Sequence, residues 1–247
     1  MRLATRFLII ITFVTLLCCS AVAQGNPYAE TVPLKRIVDD LEHAQDGARS
    51  LVPYQIVREY RLSGSKDSRS DSEVTAEVDF RPPTSKDYRI QKLSGSGRGL
   101  QVVRRLLDHE VAAASNRDRT ALTRENYDFS YSGEASLDGQ LCYILRLAPK
   151  RKEVDLIAGQ VWVDKHSFVL HQIEGELAKS PSWWVRRVSL KLTFSEVGGA
   201  WLQTGMEATA DVRIAGPHTL TSRTLDYRPA NDFASAGSSI ESAPHKP

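Results

Sequence analysis

The chain has 247 residues, of which 41% are hydrophobic and 25% charged, with 32 Lys and Arg against 30 Asp and Glu. A formal charge near zero provides no concentrated basic footprint, which argues against nucleic acid as a partner. Of three cysteines, two are adjacent near the N-terminus, so neither a disulfide framework nor a cysteine-based metal site is expected.

Arg2 and Arg6 precede an apolar run of 13 residues from Phe7 to Cys19, interrupted only by Thr12 and Thr15, and Ala21-Val22-Ala23-Gln24 follows. Basic start, apolar middle and small residues at the exit are the order of a secretory signal peptide. The run falls short of the roughly 20 residues that span a bilayer, so cleavage after Ala23 is expected rather than a retained anchor. Leu16 and Leu17 are too bulky to make Cys18 a good lipidation site. The reading is residues 1–23 as signal, 24–228 as one domain and 229–247 as a Ser-, Ala- and Pro-rich disordered tail. Loss of the two signal arginines leaves equal numbers of basic and acidic residues. Cys142 is then the sole cysteine, and its apolar neighbours Leu141, Tyr143, Ile144 and Leu145 make it a small buried hydrophobe.

In chain order, Leu34, Ile37, Val38, Leu41, Ala44 and Ala48 recur at helical spacing, predicting an amphipathic helix over 31–50. After Pro53 the period becomes two. Tyr54, Ile56, Arg58, Tyr60 and Leu62 share one strand face, and Gln55, Val57, Glu59 and Arg61 the other. A polar loop over 63–72 leads to a second strand, where Val74, Ala76, Val78 and Phe80 alternate with polar residues until Arg81-Pro82-Pro83 stops the ladder. A third strand is predicted over 88–93. Helical spacing returns through Leu100, Val103, Leu106, Leu107, Val111 and Ala114, with Arg104, Arg105, Asp108 and Glu110 on the wetter side.

From Asn126 the pattern is entirely β. Strands are predicted over 127–131, 141–148, 154–163, 168–177, 185–197, 200–214 and 219–227, with turns at Asp138-Gly139, Asp164–Ser167 and Gly198-Gly199. Long strands joined by short turns make an antiparallel meander.

Several phrases resemble the outer-membrane lipoprotein-sorting family, the periplasmic lipoprotein carrier and its receptor. They are Leu147-Ala148-Pro149-Lys150, Gly159 to Lys165, His171-Gln172-Ile173-Glu174, the Gly-Gly turn with Trp201, and a last strand ending at Asp226-Tyr227. Phe80-Arg81-Pro82 followed by Tyr88-Arg89-Ile90 is a weaker match. The resemblance implies a mainly β fold, a curved, incomplete antiparallel barrel covered by amphipathic helices, whose apolar concave face holds acyl chains. In the carrier an arginine at a strand-Arg-Pro step holds the helical lid closed, and Arg81 matches that step. Residues 94–125 depart from the family, with Ser94-Gly95-Ser96-Gly97-Arg98-Gly99 and one helix where the carrier has a strand and an aromatic lid, so the cargo does not carry over.

Each methylene withdrawn from water contributes about 0.8 kcal/mol, so about a dozen sheltered carbons supply roughly 8–10 kcal/mol gross. Alternation alone does not separate a cavity from a packed core. The expected site comprises Arg81 and Arg58 as lid latch, with Tyr54, Ile56, Tyr60, Val78, Phe80, Trp162 and Trp184 lining a cavity. Arg58 also has the ordinary reading of a side chain that snorkels to water. Trp183-Trp184, followed by Arg186-Arg187, suits a cavity mouth or a membrane surface, or else one core and one half-exposed indole. His166 and His171 lack an established ligand geometry, and Gly95–Gly99 lacks a phosphate-loop pattern, reading instead as a hinge into the lid. No catalytic constellation is recognisable locally, and no cofactor is expected.

The leading expectation is a monomeric periplasmic carrier of a lipid or acylated lipoprotein, in contact with an envelope membrane complex. Its rival is an envelope sensor of the same fold that binds a partner protein. An enzyme whose site the fold assembles from distant residues ranks third.

Overall fold

The computed structural model describes residues 32–47, 53–64 and 71–229. The signal read over 1–23, the tail from 230 and the middle of the first hairpin loop lie outside the described residues.

Helix α1 (Leu34–Gly47) opens on Pro33, whose carbonyl accepts from Arg36 and Ile37, and it buries Ile37, Val38 and Leu41. Strands β1 (Tyr54–Gly64), β2 (Ser72–Arg81) and β3 (Ser85–Gly95) follow as successive hairpins. Helix α2 (Gly97–Ser115) comes next, then a single 3-10 turn at Arg117–Arg119. The rest is a meander of β4 (Tyr127–Leu137), β5 (Gln140–Pro149), β6 (Ile157–Asp164), β7 (Leu170–Leu177), β8 (Val185–Val197), β9 (Ala200–Val212) and β10 (Gly216–Pro229).

These ten strands form one antiparallel sheet in the order β3-β2-β1-β10-β9-β8-β7-β6-β5-β4. The edges β3 and β4 do not pair, so the sheet stays open. Helix α2 carries the chain from one edge to the other, and β10 returns to pair with β1. The expected half-barrel with helical cover is therefore the fold found.

Many element boundaries follow from the periodicity, but β4 runs on to Leu137 instead of ending at Tyr131, β3 and β10 begin early, at Ser85 and Gly216, and two other strands begin late. Strand β6 begins at Ile157 rather than Val154, because Leu156 turns fully into the core and the Tyr127 hydroxyl accepts from the Ile157 amide at 3.2 Å. Strand β7 begins at Leu170 rather than Phe168. Phe168 adopts φ 56°, inside a turn where Asp164 accepts from the His166 and Ser167 amides at 2.9 and 2.7 Å. Asp138 and Gly139 take φ 50° and 85°, the left-handed pair a two-residue hairpin needs.

Cross-strand register defines the inward face. One row of partners runs Leu145, Val161, Ile173, Leu192, Met206, Ser222, Tyr60, Val74 and Leu93. It is apolar at every position but Ser222. Toward one end, Tyr60 and Val74 are buried in a core with Ile56, Ala76, Val78, Leu220 and the α2 residues Val103 and Leu107. Toward the other, Leu145 and Val161 are buried, as are Ile37, Val38 and Leu41 of α1. In between, on β8 and β9, Leu192 and Met206 are only half-buried, as are their neighbours Leu190 and Ala208. The helices thus cover the two flanks of an apolar face more fully than its middle strands, where Met206 still packs against the α2 core and the partly covered strip forms a shallow trough.

Candidate functional site

At one end of the trough the sheet, α1 and the segment after α2 border a cavity of about 660 Å³ that is open to solvent, within the range of small-molecule sites. Its floor is apolar: Tyr54 and Phe80 from the paired ends of β1 and β2, Val169 and Leu170 before and at the start of β7, and Phe194, Trp201 and Leu202 around the Gly198-Gly199 turn. Tyr54 lies between Phe80 and Tyr227, with ring centroids 5.0 and 5.8 Å away. Burial raises the Tyr54 hydroxyl pKa. Tyr227 in turn packs on Gly198, where a Cβ would meet its ring at 2.1 Å and where φ is 59°, so only glycine suits that turn. The Trp201 indole donates to the Leu170 carbonyl at 2.6 Å, fixing its ring across the strand ends.

The rim is polar. Gln45 of α1 exchanges two hydrogen bonds with the Leu122 backbone, at 3.1 and 3.2 Å. Glu42 accepts from the Arg124 amide at 2.8 Å and from its guanidinium at 3.0 Å, while Arg124 also reaches Asp39 at 2.7 Å and the Lys35 carbonyl at 2.8 Å. Buried Asn126 donates to the Asp118 and Ala121 carbonyls at 2.8 Å each, holding the segment beneath α1. Arg117 places its guanidinium over the Phe80 ring, 5.4 Å from the centroid. The cavity therefore has an apolar floor and a hydrogen-bonded rim of mixed charge, in which Glu42, Asp46, Asp118 and Glu125 outnumber Arg117 and Arg124.

A second polar feature pins α2. The Arg58 guanidinium, nearly fully buried on the inward face of β1, donates to both oxygens of Glu110 at 3.2 and 3.0 Å and to the Gln203 carbonyl at 3.1 Å. Lys86 of β3 donates to the same carboxylate at 2.7 Å. Burial alone would favour a neutral Glu110, but the two cations beside it outweigh that and hold its carboxyl below the usual range. Burial likewise works against the Arg58 charge, and Glu110 reverses the balance, so its pKa lies above the ordinary value. Lys86 remains lowered, chiefly by burial. The Tyr60 hydroxyl is buried next to Arg58 without a well-formed hydrogen bond, and burial pushes it up to about 12.

The expected site residues divide accordingly. Tyr54 and Phe80 line the cavity. Ile56, Tyr60 and Val78 are packed in the core beneath α2 and are not among the residues lining this cavity. Arg58 is bound to the helix that crosses the sheet, whereas Arg81, at the strand-Arg-Pro step, is exposed and bonds neither helix among the described residues. Trp162 falls on the outward face: its partners are Ile144 and Gln172, while the inward positions beside it are Val161 and Val163. Trp183 and Trp184 precede β8 in a turn instead of lying on a strand, and both are exposed, so neither is a core indole. Gly95–Gly99, read as a hinge, is a tight seat. Ser72 accepts from the Ser96 amide at 3.1 Å, and a Cβ on Gly99 would lie 2.3 Å from the Ser72 side chain. Cys142 is fully buried, and burial pushes its thiol up to about 11, the behaviour of a structural residue. Among the described residues no group of three or more His, Cys, Asp and Glu could hold a metal ion, and no helix is long and apolar enough to cross a membrane.

The cavity residues not anticipated include Arg117, Val169, Leu170, Phe194 and Leu202, from turns and strand ends, and Glu42, Gln45 and Arg124, from α1 and the segment after α2. The only signal pointing to them was the Gly-Gly turn with Trp201.

The chain thus defines a class, an open antiparallel half-barrel with an apolar inward face flanked by two amphipathic helices. It is similar in structure to a domain assigned as an outer membrane lipoprotein-sorting protein from Vibrio parahaemolyticus, with 13% identity and a TM-score of 0.43 over 82% of this chain and 98% of that one. A DUF1329 family protein from Desulfovibrio piger matches with 17% identity and a TM-score of 0.42 over 80% and 93%. A LolA superfamily protein from Nitrosomonas europaea matches with 12% identity and a TM-score of 0.40 over 78% and 92%. A family model described as "Uncharacterized protein" matches residues 112–229. No curated protein sequence matches the chain. The alignments are long but loose, and the functional reading rests on the cavity itself.

Proposed function

We propose that this protein is an envelope carrier that shelters an acyl chain of a lipid or lipoprotein in the cavity and along the trough. The observation that carries the reading is the continuity of the two. Phe194 and Leu202 in the cavity floor lie two and four residues along β8 and β9 from the partly buried Leu192 and Met206, across a bulge between Thr193 and Phe194. An elongated apolar ligand therefore has a path longer than the cavity alone. The rim offers Arg117, which lies over Phe80, to an anionic or carbonyl-bearing head group; Arg124 is already engaged by Glu42 and Asp39.

The test is mass spectrometry of an organic extract from the protein purified without detergent from its own host. Lipid or acylated peptide enriched to near one per protein is expected. An extract free of either, together with a stoichiometric co-purifying protein, would overturn the carrier reading in favour of a partner-binding sensor.

A further inference from the structure

The β7–β8 connection and the β9–β10 turn form a tip at the far end of β8 from the cavity. The Trp183 and Trp184 rings stack there, centroids 3.7 Å apart, and are 69% and 48% exposed. Ile214, on the neighbouring turn, is 87% exposed. The two turns are tied together: the Arg213 amide donates to the Trp184 carbonyl at 2.9 Å and its guanidinium Nε to the Trp183 carbonyl at 2.7 Å. Three large apolar side chains are thus held outward in water by a defined hydrogen-bond frame.

Lys179, Arg186, Arg187 and Arg213 surround them, all exposed. Two acidic residues are near, Glu176 and Asp211, each already facing one arginine at 3.5 and 3.8 Å. The tip is therefore net cationic. A stable protein interface engages about 20–30 residues a side, which two short turns do not offer. Indole rings with a polar edge, beside an aliphatic residue and several cations, suit the boundary between acyl chains and anionic head groups. We infer that this tip docks the protein on a bilayer carrying anionic lipid, with the indoles and Ile214 inserted and the arginines among the head groups. The trough floor on β8 runs from this tip to the cavity, so docking would set its open end against the membrane.

The experiment is co-sedimentation of the purified protein with vesicles of phosphatidylcholine alone and of phosphatidylcholine mixed with phosphatidylglycerol, with tryptophan emission followed in parallel. Wild type is expected to partition onto the anionic vesicles with a blue shift that brominated lipid quenches. Trp183→Ser with Trp184→Ser should weaken partitioning at least about tenfold, and Arg186→Gln with Arg187→Gln should erase the preference for anionic lipid. Leu141→Ser, which removes an apolar side chain 61% exposed at the start of β5, should leave partitioning unchanged, so that a loss marks the tip and not exposed apolar surface in general. Equal sedimentation with and without vesicles would overturn the inference, as would undiminished binding by the double tryptophan variant. Self-association that this variant abolishes, in the absence of vesicle binding, would assign the tip to a second copy of the chain instead.

Discussion

Glu110 is the one carboxylate shared by two buried cations, Arg58 and Lys86, which reach it from different strands. A buried pair adds little over a hydrophobic replacement, but removal of one partner strands the others without compensation. Glu110→Gln is therefore expected to destabilise the protein by about 3 kcal/mol in urea unfolding. The same carboxyl sets an acid limb. Its folded pKa is depressed, so its contribution is complete above the unfolded value of about 4.3 and is lost as pH falls through the lower folded value. Stability plotted against pH should show a shallower acid decline in Glu110→Gln than in wild type. Arg58 also predicts a contrast with Arg81: Arg58→Leu should loosen α2 and speed release of a bound alkyl probe, while exposed Arg81→Leu should leave release unchanged. Arg58 was legible in the sequence because a charged residue stood within an apolar alternation. Glu110 was not, because helical spacing placed it with Arg104, Arg105 and Asp108 on the wetter side, and only the tertiary fold brings a buried arginine to it.

Helix α2 is seated at both ends, by Glu110 near its C-terminus and by the Ser72 contact at its start. Ser96 caps it, accepting from the Gly99 amide at 3.4 Å, and Gly99 lets the first turn approach the Ser72 side chain. Gly99→Val must push that turn away, and it is expected to cost about 1–3 kcal/mol and to raise amide exchange in the first half of α2 before the rest of the chain. Amide exchange that rises evenly along the helix would count against a separate N-terminal seat. Both helices and nearly every strand were legible, because a period of 3.6 or 2 survives in the sequence whenever one face of an element is buried. What periodicity does not carry is what covers that face. Ile56, Tyr60 and Val78 alternate in the same way as Tyr54 and Phe80, yet α2 packs on the first three while the last two open to the cavity. Trp162 failed for a related reason: it lies in an apolar run, Val161-Trp162-Val163, whose middle residue points outward.

Across the whole molecule, one apolar row crosses nine strands under unequal cover. Val161 is fully buried toward the α1 flank, Tyr60 fully buried beneath α2, and Leu192 only partly buried between them. A polar side chain in each place separates stability from binding. Val161→Asn buries an amide with no arranged partner and should cost about 3 kcal/mol or more, combining lost apolar burial with an unsatisfied polar group. Leu192→Asn leaves its amide within reach of water and should cost no more than about 1 kcal/mol. The order reverses for a ligand. If the trough carries an alkyl chain, Leu192→Asn should weaken binding of a fluorescent fatty-acid analogue about tenfold, since an apolar wall is replaced by a hydrated one. It should also lessen the rise in melting temperature that ligand at 100 times Kd confers, a stabilisation of about 2.7 kcal/mol in wild type. Equal destabilisation by the two variants would mean that the middle strands are packed, and unchanged affinity in Leu192→Asn would confine the ligand to the cavity beside Phe194 and Leu202. The inward alternation of β8 and β9 would then serve the fold alone.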